Sequence, residues 1–269
     1  MRSLDLDEVR GYVADNIAKF HDSKLNALRK TDLRTLLKRK NPYLFRAKDL
    51  NLPHNLIASL LEASISSSEE AIFGPFLEDL AIFIATRTAD AKKSPATGID
   101  FEFTHNGTVY LVSVKSGTSW GDDAQQTKQE EYFDRAIRVV KQSRHTTHVQ
   151  PVLGICYGKT KTNMHIRGAM KVVGQNFWFL ISGDPNLYAE IIEPLGIDAL
   201  RRNEEFLGER DRLIGQFAKE FTEEFATKGG MVDWNKLVRF NSGNIDIHDT
   251  EIGFQPIPKP SKKPVKQRK

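Results

Sequence analysis

Residues 98–117 read GIDFEFTHNGTVYLVSVKSG and carry the clearest structural signal in this chain. Two short runs rich in β-branched and aromatic residues flank Asn106-Gly107, a pair typical of a two-residue hairpin turn. Counting outward from that turn predicts which residues of the two strands face each other. The predicted pairs are His105 with Thr108, Phe103 with Tyr110, Phe101 with Val112, and Asp100 with Ser113. The segment therefore predicts an antiparallel hairpin of known register.

The two faces of this hairpin differ in chemistry, because successive side chains of a strand point to opposite faces. An apolar face that requires a core carries Phe101, Phe103, Tyr110, Val112 and Val114. The opposite face carries Asp100, Glu102, Ser113 and Lys115. A carboxylate opposite a lysine is compatible with an ordinary cross-strand ion pair on a solvated face. It is also compatible with a Mg²⁺ site for phosphodiester hydrolysis, in which the carboxylate binds the metal and the lysine stabilises the nucleophile or the phosphate.

The hairpin resembles that of the PD-(D/E)XK nuclease superfamily, in which one strand opens with Asp and its partner carries (Asp/Glu)-x-Lys. Here Gly98-Ile99-Asp100 stands in place of Pro-Asp, and Ser113-Val114-Lys115 has a serine in place of the second acid. Some restriction endonucleases of the superfamily carry this serine and recruit a glutamate from the following helix. The wider sequence, from residue 10 to 243, is similar to type II restriction endonucleases and to the PmeII-like family. The segments that carry this likeness are KNPYLFRAK (40–48), SSSEE (66–70), VKSG (114–117), SGDP (182–185) and VRFNSG (238–243).

The resemblance implies an α/β (α+β) fold with a restriction-endonuclease-like core, in which helices flank a central mixed β-sheet. We expect a helical N-terminal region over 1–62, the nuclease core over 63–243, and a disordered basic Pro/Lys-rich tail over 244–269. The implied activity is Mg²⁺-dependent, sequence-specific hydrolysis of double-stranded DNA. A homodimer is expected, because cutting both strands of a symmetric site requires two active sites. A DNA methyltransferase of the same restriction–modification system would be a functional rather than a physical partner.

The resemblance also assigns roles to residues. Asp100 would bind Mg²⁺, and Lys115 would orient and stabilise the water that attacks phosphorus in line and displaces the 3′ oxygen. Superfamily members often add a glutamate from the helix before the hairpin. The predicted helix over 66–88 has an apolar stripe (Phe73, Phe76, Leu77, Leu80 and Ile84), and Glu70 projects near it. Counting along the same helix points Glu78 away, so Glu70 is the first candidate and Glu78 the second. Either acid is equally compatible with a capping or solvated position.

The helix predicted over 122–142 supplies the candidate for the missing acid. Its inward stripe of Phe133, Ala136, Ile137 and Val140 places Gln126 and Gln129 in the middle and Glu130 at the margin. A polar group on the inward side of a helix requires a partner. We favour Glu130 as the substitute metal ligand, and an ordinary salt bridge to a nearby basic residue is the alternative.

Composition is that of a globular chain: 39% of the 269 residues are hydrophobic and 28% are charged. No run of about eighteen apolar residues predicts a membrane span, and the acidic N-terminus lacks a signal sequence, so we expect a cytoplasmic protein. The single cysteine, Cys156, excludes a disulfide framework and a multi-cysteine zinc site. No Gly-rich loop with Lys-Ser/Thr predicts an NTPase.

Basic residues are unevenly distributed. Residues 24–48 contain nine basic residues and one acid, and residues 257–269 contain six basic residues and no acid. Such local basic stretches favour a polyanionic partner, although a solvated helix face has the same composition. The candidate DNA contacts are Lys38, Arg39, Lys40 and Arg46, with Lys159 and Lys161 on a second basic loop.

Two alternatives keep the same fold. One is a DNA repair or junction-resolving nuclease. The other is a DNA-binding protein that has lost its activity, which the serine at position 113 favours. Fold alone does not separate these functions, because one scaffold hosts many of them.

Overall fold

The computed structural model describes residues 1–144, 148–164, 168–196, 199–243, 247–250 and 253–256. The helices are α1 (Leu6–Arg29), α2 (Leu33–Arg39), α3 (Pro42–Ala47), α4 (Pro53–Ala89), α5 (Asp123–Arg144), α6 (Gln175–Ser182), α7 (Leu187–Glu190), α8 (Ile192–Leu195), α9 (Ala199–Phe225) and α10 (Trp234–Ser242). The strands are β1 (Lys92–Lys93), β2 (Phe101–His105), β3 (Thr108–Lys115), β4 (Val149–Ile155), β5 (Asn163–Met164), β6 (Met170–Val173), β7 (Ile247–Thr250) and β8 (Gly253–Pro256).

The predicted hairpin is confirmed, and β2 and β3 pair in the predicted register. Phe101 lies opposite Val112, and His105 lies opposite Thr108. Asn106 and Gly107 have φ angles of 48° and 76°. A two-residue turn of this type requires positive φ at both central positions, and Asn-Gly tolerates that conformation best. The register therefore follows from local turn chemistry.

A six-stranded sheet of order β1-β2-β3-β4-β6-β5 forms the centre of the fold. Strands β3, β4 and β6 are parallel, whereas β1, β2 and β5 pair antiparallel with their neighbours. Helix α5 connects β3 to β4, which is the crossover that two parallel neighbours need. This mixed sheet with flanking helices confirms the predicted α/β fold class.

Both faces of the sheet are buried. The apolar hairpin face packs with α4, α1 and α6 in one hydrophobic cluster that includes Phe101, Val112 and Leu80. The opposite face also carries buried Val109 and Leu111, which pack with residues of α5. Asp100, Ser113 and Lys115 lie on this second face at the end of the hairpin away from the Asn106-Gly107 turn.

The chain forms two compact units, each assembled from two segments. The first comprises Met1–Lys30 and Ala63–Arg212 and contains the six-stranded sheet. The second comprises Thr31–Glu62 and Leu213–Lys269, in which α10 packs against α2 and α3. The predicted three-part division into residues 1–62, 63–243 and 244–269 stays a prediction.

Two local expectations differ from the structure. The predicted helix over 66–88 is part of a longer helix, because α4 runs without a break from Pro53. The Ser67 hydroxyl donates to the carbonyl oxygen of Ala63 at 3.0 Å, so this serine bonds within the helix instead of starting it. Chain beyond Gly243 was expected to be irregular, but β7 and β8 form an antiparallel pair there. Residues 257–269 of the expected tail lie outside the described part of the chain. Within the described part, no helix has the length and apolar character to cross a membrane.

Candidate active site

Asp100 lies immediately before β2 and is fixed to β3 by two hydrogen bonds. Its backbone N–H donates to the carbonyl oxygen of Val112 at 2.8 Å. Its Oδ2 accepts from the backbone N–H of Val114 at 2.6 Å. A carboxylate held by a backbone donor of the neighbouring strand has little freedom to rotate, so it is oriented before any ligand binds.

Glu78 of α4 meets Asp100 at this end of the hairpin. The two carboxyl groups are hydrogen-bonded to each other, and Lys115 is close enough to act on Glu78 electrostatically. The pKa of Glu78 is raised to about 7, chiefly by burial and then by the charge of Asp100 and the shared hydrogen bond, whereas Lys115 acts in the opposite direction. Two adjacent carboxylates repel each other, so Glu78 retains its proton up to about pH 7.

The placement of Glu78 corrects the prediction that it points away from the site. The buried face of α4 is wider than its large apolar residues indicate, because Ala81 and Ala85 are also fully buried. Glu78 precedes these alanines by three and seven residues, which places it on the alanine side of the same face. The helical count failed because it used only bulky residues to define the buried side.

Lys115 ends β3 with its ammonium group over an aromatic ring. Its Nζ lies 5.4 Å from the centroid of the Trp120 ring. Trp120 in turn packs against Leu153, Ile155 and Val173, which are buried residues of the neighbouring strands. This cation–π contact limits the directions in which the ammonium group can point.

Helix α5 holds the backbone that precedes Asp100. The Gln129 side chain is 7% exposed, and its Nε2 donates to the carbonyl oxygen of Gly98 at 2.8 Å. Gly98 has φ +79°, and a Cβ there would lie 2.1 Å from the Tyr132 ring. Gln129 was predicted to lie in the inward stripe of its helix, without a role. The signal for that role was its inward position, because a buried amide requires a hydrogen-bond partner.

Glu70 and Glu130 have different surroundings. Glu70 is exposed and accepts a hydrogen bond from the Tyr157 hydroxyl at 3.4 Å. Glu130 is 7% exposed on the buried side of α5. Among the described residues, no three Asp, Glu, His or Cys side chains are grouped so that they could hold a metal ion. The roles of Glu70 and Glu130 as metal ligands stay predictions.

Tyr157 also lies against the turn that follows Lys115. Its backbone N–H donates to the carbonyl oxygen of Ser116 at 3.1 Å. A Cβ added at Gly117 would lie 2.5 Å from the Tyr157 hydroxyl, so a larger residue here would displace the Tyr157 ring. Gly74 of α4 faces Ser116, whose Oγ would lie 3.8 Å from a Cβ at position 74. Helix α4 therefore passes close to the turn that follows Lys115.

Ser113, at the position of the missing acid, is fully buried, and its Oγ has no hydrogen-bond partner in the described structure.

The predicted DNA contacts lie apart in sequence. Lys38, Arg39 and Arg46 are exposed, Lys40 is half-buried, and Lys159 and Lys161 are exposed after β4. The structure contains nothing that tests these contacts.

The donor set at this site fits a hard divalent cation. Mg²⁺ usually binds through one or two carboxylates and completes its octahedral shell with water and substrate phosphate. Glu78 and Asp100 provide two carboxylates that are already adjacent.

Comparison with known proteins gives one family. The family model described as type II restriction endonuclease EcoO109I matches residues 7–203. This match covers the six-stranded sheet and the three residues Glu78, Asp100 and Lys115. No curated protein matches the chain. The PmeII-like grouping suggested by the sequence stays a prediction.

Proposed function

We propose that this chain, which belongs to the type II restriction endonuclease EcoO109I family, cleaves double-stranded DNA at a specific sequence and requires Mg²⁺ to do so. The family makes the chain a nuclease. Metal dependence, site specificity and the residues that carry them are our proposal.

The observation that carries the proposal is the convergence of Glu78, Asp100 and Lys115. These residues come from α4, the start of β2 and the end of β3, so only the folded chain brings them together. An acid pair beside a lysine matches the chemistry of phosphodiester hydrolysis, in which charge develops on the phosphate and on the leaving oxygen.

Asp100 and Glu78 would hold the metal in this proposal. When bound, Mg²⁺ neutralises charge on the phosphate and makes water a stronger nucleophile at neutral pH. The hydrogen bond from the Val114 N–H keeps one oxygen of Asp100 occupied and orients the group. Glu70 and Glu130 remain candidates for additional ligation, either direct or through water.

Lys115 would act on the reacting groups. Its ammonium group donates hydrogen bonds to the attacking water and to a non-bridging phosphate oxygen, which orients the water in line with the bond to the 3′ oxygen. The Trp120 ring supports the ammonium group from one side and leaves its donors available on the other. The products would be a 3′ hydroxyl and a 5′ phosphate.

Two copies of the chain would act together on a symmetric DNA site, one on each strand. A methyltransferase that modifies the same site would protect the host DNA. Both statements follow from the proposed activity.

One observation favours the inactive DNA-binding alternative. Ser113 replaces an acid, and its buried hydroxyl has no partner in the described structure. If Glu78 did not compensate for the missing acid, Asp100 alone would hold Mg²⁺ poorly.

The test is incubation of purified protein with unmethylated plasmid and phage DNA in Mg²⁺, in Ca²⁺ and in EDTA. Discrete fragments that appear only with Mg²⁺ are expected. Cleavage without a sequence pattern would favour a repair or junction nuclease. Intact DNA in every condition, with retained DNA binding, would favour the inactive alternative.

A further inference from the structure

The second unit contains a basic surface formed by α2, α3 and the turn between them, residues 34–48, which we call the α2–α3 corner. This segment has six lysine and arginine residues and no acid. Most of these side chains are exposed. Acidic residues of the same unit lie elsewhere in its sequence, with Glu220, Glu223 and Glu224 on α9. Of these acids, Glu224 pairs with Arg34 at the edge of the corner at 2.7 Å.

The cations of the corner are supported by aromatic rings of α10. Arg34 lies 5.2 Å and Lys38 5.5 Å from the centroid of the Phe240 ring. Arg46 lies 5.7 Å from the centroid of the Trp234 ring. A cation on an aromatic face keeps its stem packed. The guanidinium groups of Arg34 and Arg46 are also ion-paired, with Glu224 at 2.7 Å and with Asp49 at 3.8 Å. The arrangement therefore presents charge at defined positions.

Two large apolar side chains are exposed among these cations. Tyr43 is 64% exposed and Leu44 is 49% exposed. Their neighbours Pro42 and Phe45 are buried and anchor α3, so the helix directs Tyr43 and Leu44 outward. The Asn41 side chain fixes the start of α3 by accepting from the backbone N–H of Tyr43 at 3.0 Å. An anchored helix that exposes a tyrosine and a leucine indicates a contact surface.

Helix α10 also fixes the angle between α2 and α3. The Asn241 side chain donates to three carbonyl oxygens at the end of α2, those of Leu37 at 2.7 Å, Lys38 at 3.3 Å and Lys40 at 3.2 Å. The Trp234 Nε1 donates to the Asn51 side chain at 3.1 Å. The corner is therefore held in one geometry before it meets a partner.

We propose that the α2–α3 corner is a DNA-reading surface, in which Lys38 and Arg39 contact phosphates and Tyr43 and Leu44 contact base edges or a base step. This inference rests on the proposed function and locates part of its sequence recognition in the second unit. Cations that surround apolar side chains fit a polyanion with apolar base surfaces. A second copy of the corner is a poor partner, because a two-fold contact would place like charges against each other.

The phosphate contacts are tested by the salt dependence of binding. The full chain carrying Lys115→Ala is titrated with a random-sequence DNA duplex at several KCl concentrations, with and without Lys38→Gln and Arg39→Gln. Each lost phosphate contact makes the slope of log K against log salt less negative by about 0.9. We therefore expect the slope for the double variant to be less negative by nearly two. The control is Lys219→Gln with Lys228→Gln, which removes the same charge from exposed positions on and after α9. Equal slopes for the two pairs of substitutions would overturn the phosphate contacts.

The apolar contact is tested with Tyr43→Ser. Its matched control is Tyr188→Ser, which makes the same change at an exposed tyrosine of a short helix in the first unit. We expect Tyr43→Ser to weaken binding to the mapped cleavage site roughly tenfold more than binding to random DNA, which corresponds to the loss of one base contact. The salt slope should not change. An equal loss on both DNAs, or no loss, would overturn base reading by Tyr43.

Sedimentation of the same variants separates DNA from a second copy as the partner of the corner. An unchanged mass for Tyr43→Ser supports the proposal, whereas conversion of a dimer to a monomer would overturn it. The binding and sedimentation measurements do not depend on whether the protein cleaves DNA. If the wild type cleaves at discrete sites but the corner variants bind normally, only this inference fails. If the wild type does not cleave but the salt slope falls as expected, the proposed activity fails and the DNA surface stands.

Discussion

Replacement of Glu78 by glutamine tests the acid pair without changing its size. The folded protein retains the Glu78 proton up to a pKa of about 7, whereas the unfolded chain releases it near 4.5. Between these values the folded state binds more protons, so the free energy of unfolding falls as pH rises. The resulting loss of stability is absent below about pH 4.5 and complete above about pH 7. Glutamine does not ionise and removes this dependence.

The magnitude follows from the pKa of Glu78. At about 1.4 kcal/mol per pH unit the full effect would be about 3 kcal/mol, and screening of a half-exposed side chain reduces it to about 1–2 kcal/mol. Glu78→Gln should therefore gain about 1–2 kcal/mol of unfolding free energy over the wild type between pH 4.5 and pH 8. Mg²⁺ at pH 8 should stabilise the wild type more than the variant, because a cation that binds only the folded state shifts the equilibrium towards it.

Urea unfolding followed by tryptophan fluorescence measures these differences at several pH values, with and without Mg²⁺. Asp15→Asn is the control, because Asp15 is an exposed acid of α1 and is not one of the charges that shift the pKa of Glu78. Parallel stability curves for wild type and Glu78→Gln would refute the shared proton. Equal stabilisation of both proteins by Mg²⁺ would refute Glu78 as a ligand.

Three further predictions concern the residues around the acid pair. Gln129→Leu removes the donor to the Gly98 carbonyl and should lower the free energy of unfolding, measured in urea, by about 1–3 kcal/mol. It should also lower kcat. An unchanged kcat would show that this hydrogen bond does not position the site. Because Glu70 accepts from Tyr157, Glu70→Gln and Tyr157→Phe should raise KM for DNA by a similar factor and leave the Mg²⁺ dependence of the rate unchanged. A shifted Mg²⁺ dependence for Glu70→Gln alone would instead make it the ligand that the sequence predicts. Gly117→Ala should displace the Tyr157 ring and lower kcat/KM about tenfold or more, since small misplacements near the reacting groups are costly; wild-type kinetics would contradict that contact.

The hairpin was predictable because its determinants are local. Asn106-Gly107 sets the turn, and the turn sets the register of every pair down to Phe101 and Val112. The positions of Asp100 and Lys115 followed from that register. A short-range signal of this kind needs no knowledge of the remaining chain.

The partner of Asp100 was not predictable in the same way. Which glutamate of α4 meets the hairpin depends on the rotation of a helix about its axis, and tertiary packing sets that rotation. The decisive evidence was the burial of Ala81 and Ala85, small residues that a pattern of bulky side chains ignores. The inward position of Gln129 indicated that it needs a partner, but tertiary packing decides that the partner is the carbonyl of Gly98.

The continuity of α4 shows a second limit of sequence patterns. Three consecutive serines followed by two glutamates are a typical helix start, yet Ser67 lies within a helix that begins at Pro53. The hydroxyl of Ser67 bonds to the preceding turn, so the serines do not interrupt the helix.

The central claim is that Glu78, Asp100 and Lys115 form one catalytic site, and cleavage of unmethylated phage DNA tests it most directly. Wild type, Glu78→Gln, Asp100→Ala and Lys115→Ala are compared at saturating Mg²⁺, with Asp15→Asn as the exposed-acid control. We expect discrete fragments from the wild type and the control, and a loss of cleavage of at least about a hundredfold from each of the other three, with DNA binding retained. Wild-type cleavage by any one of those three variants would contradict the account.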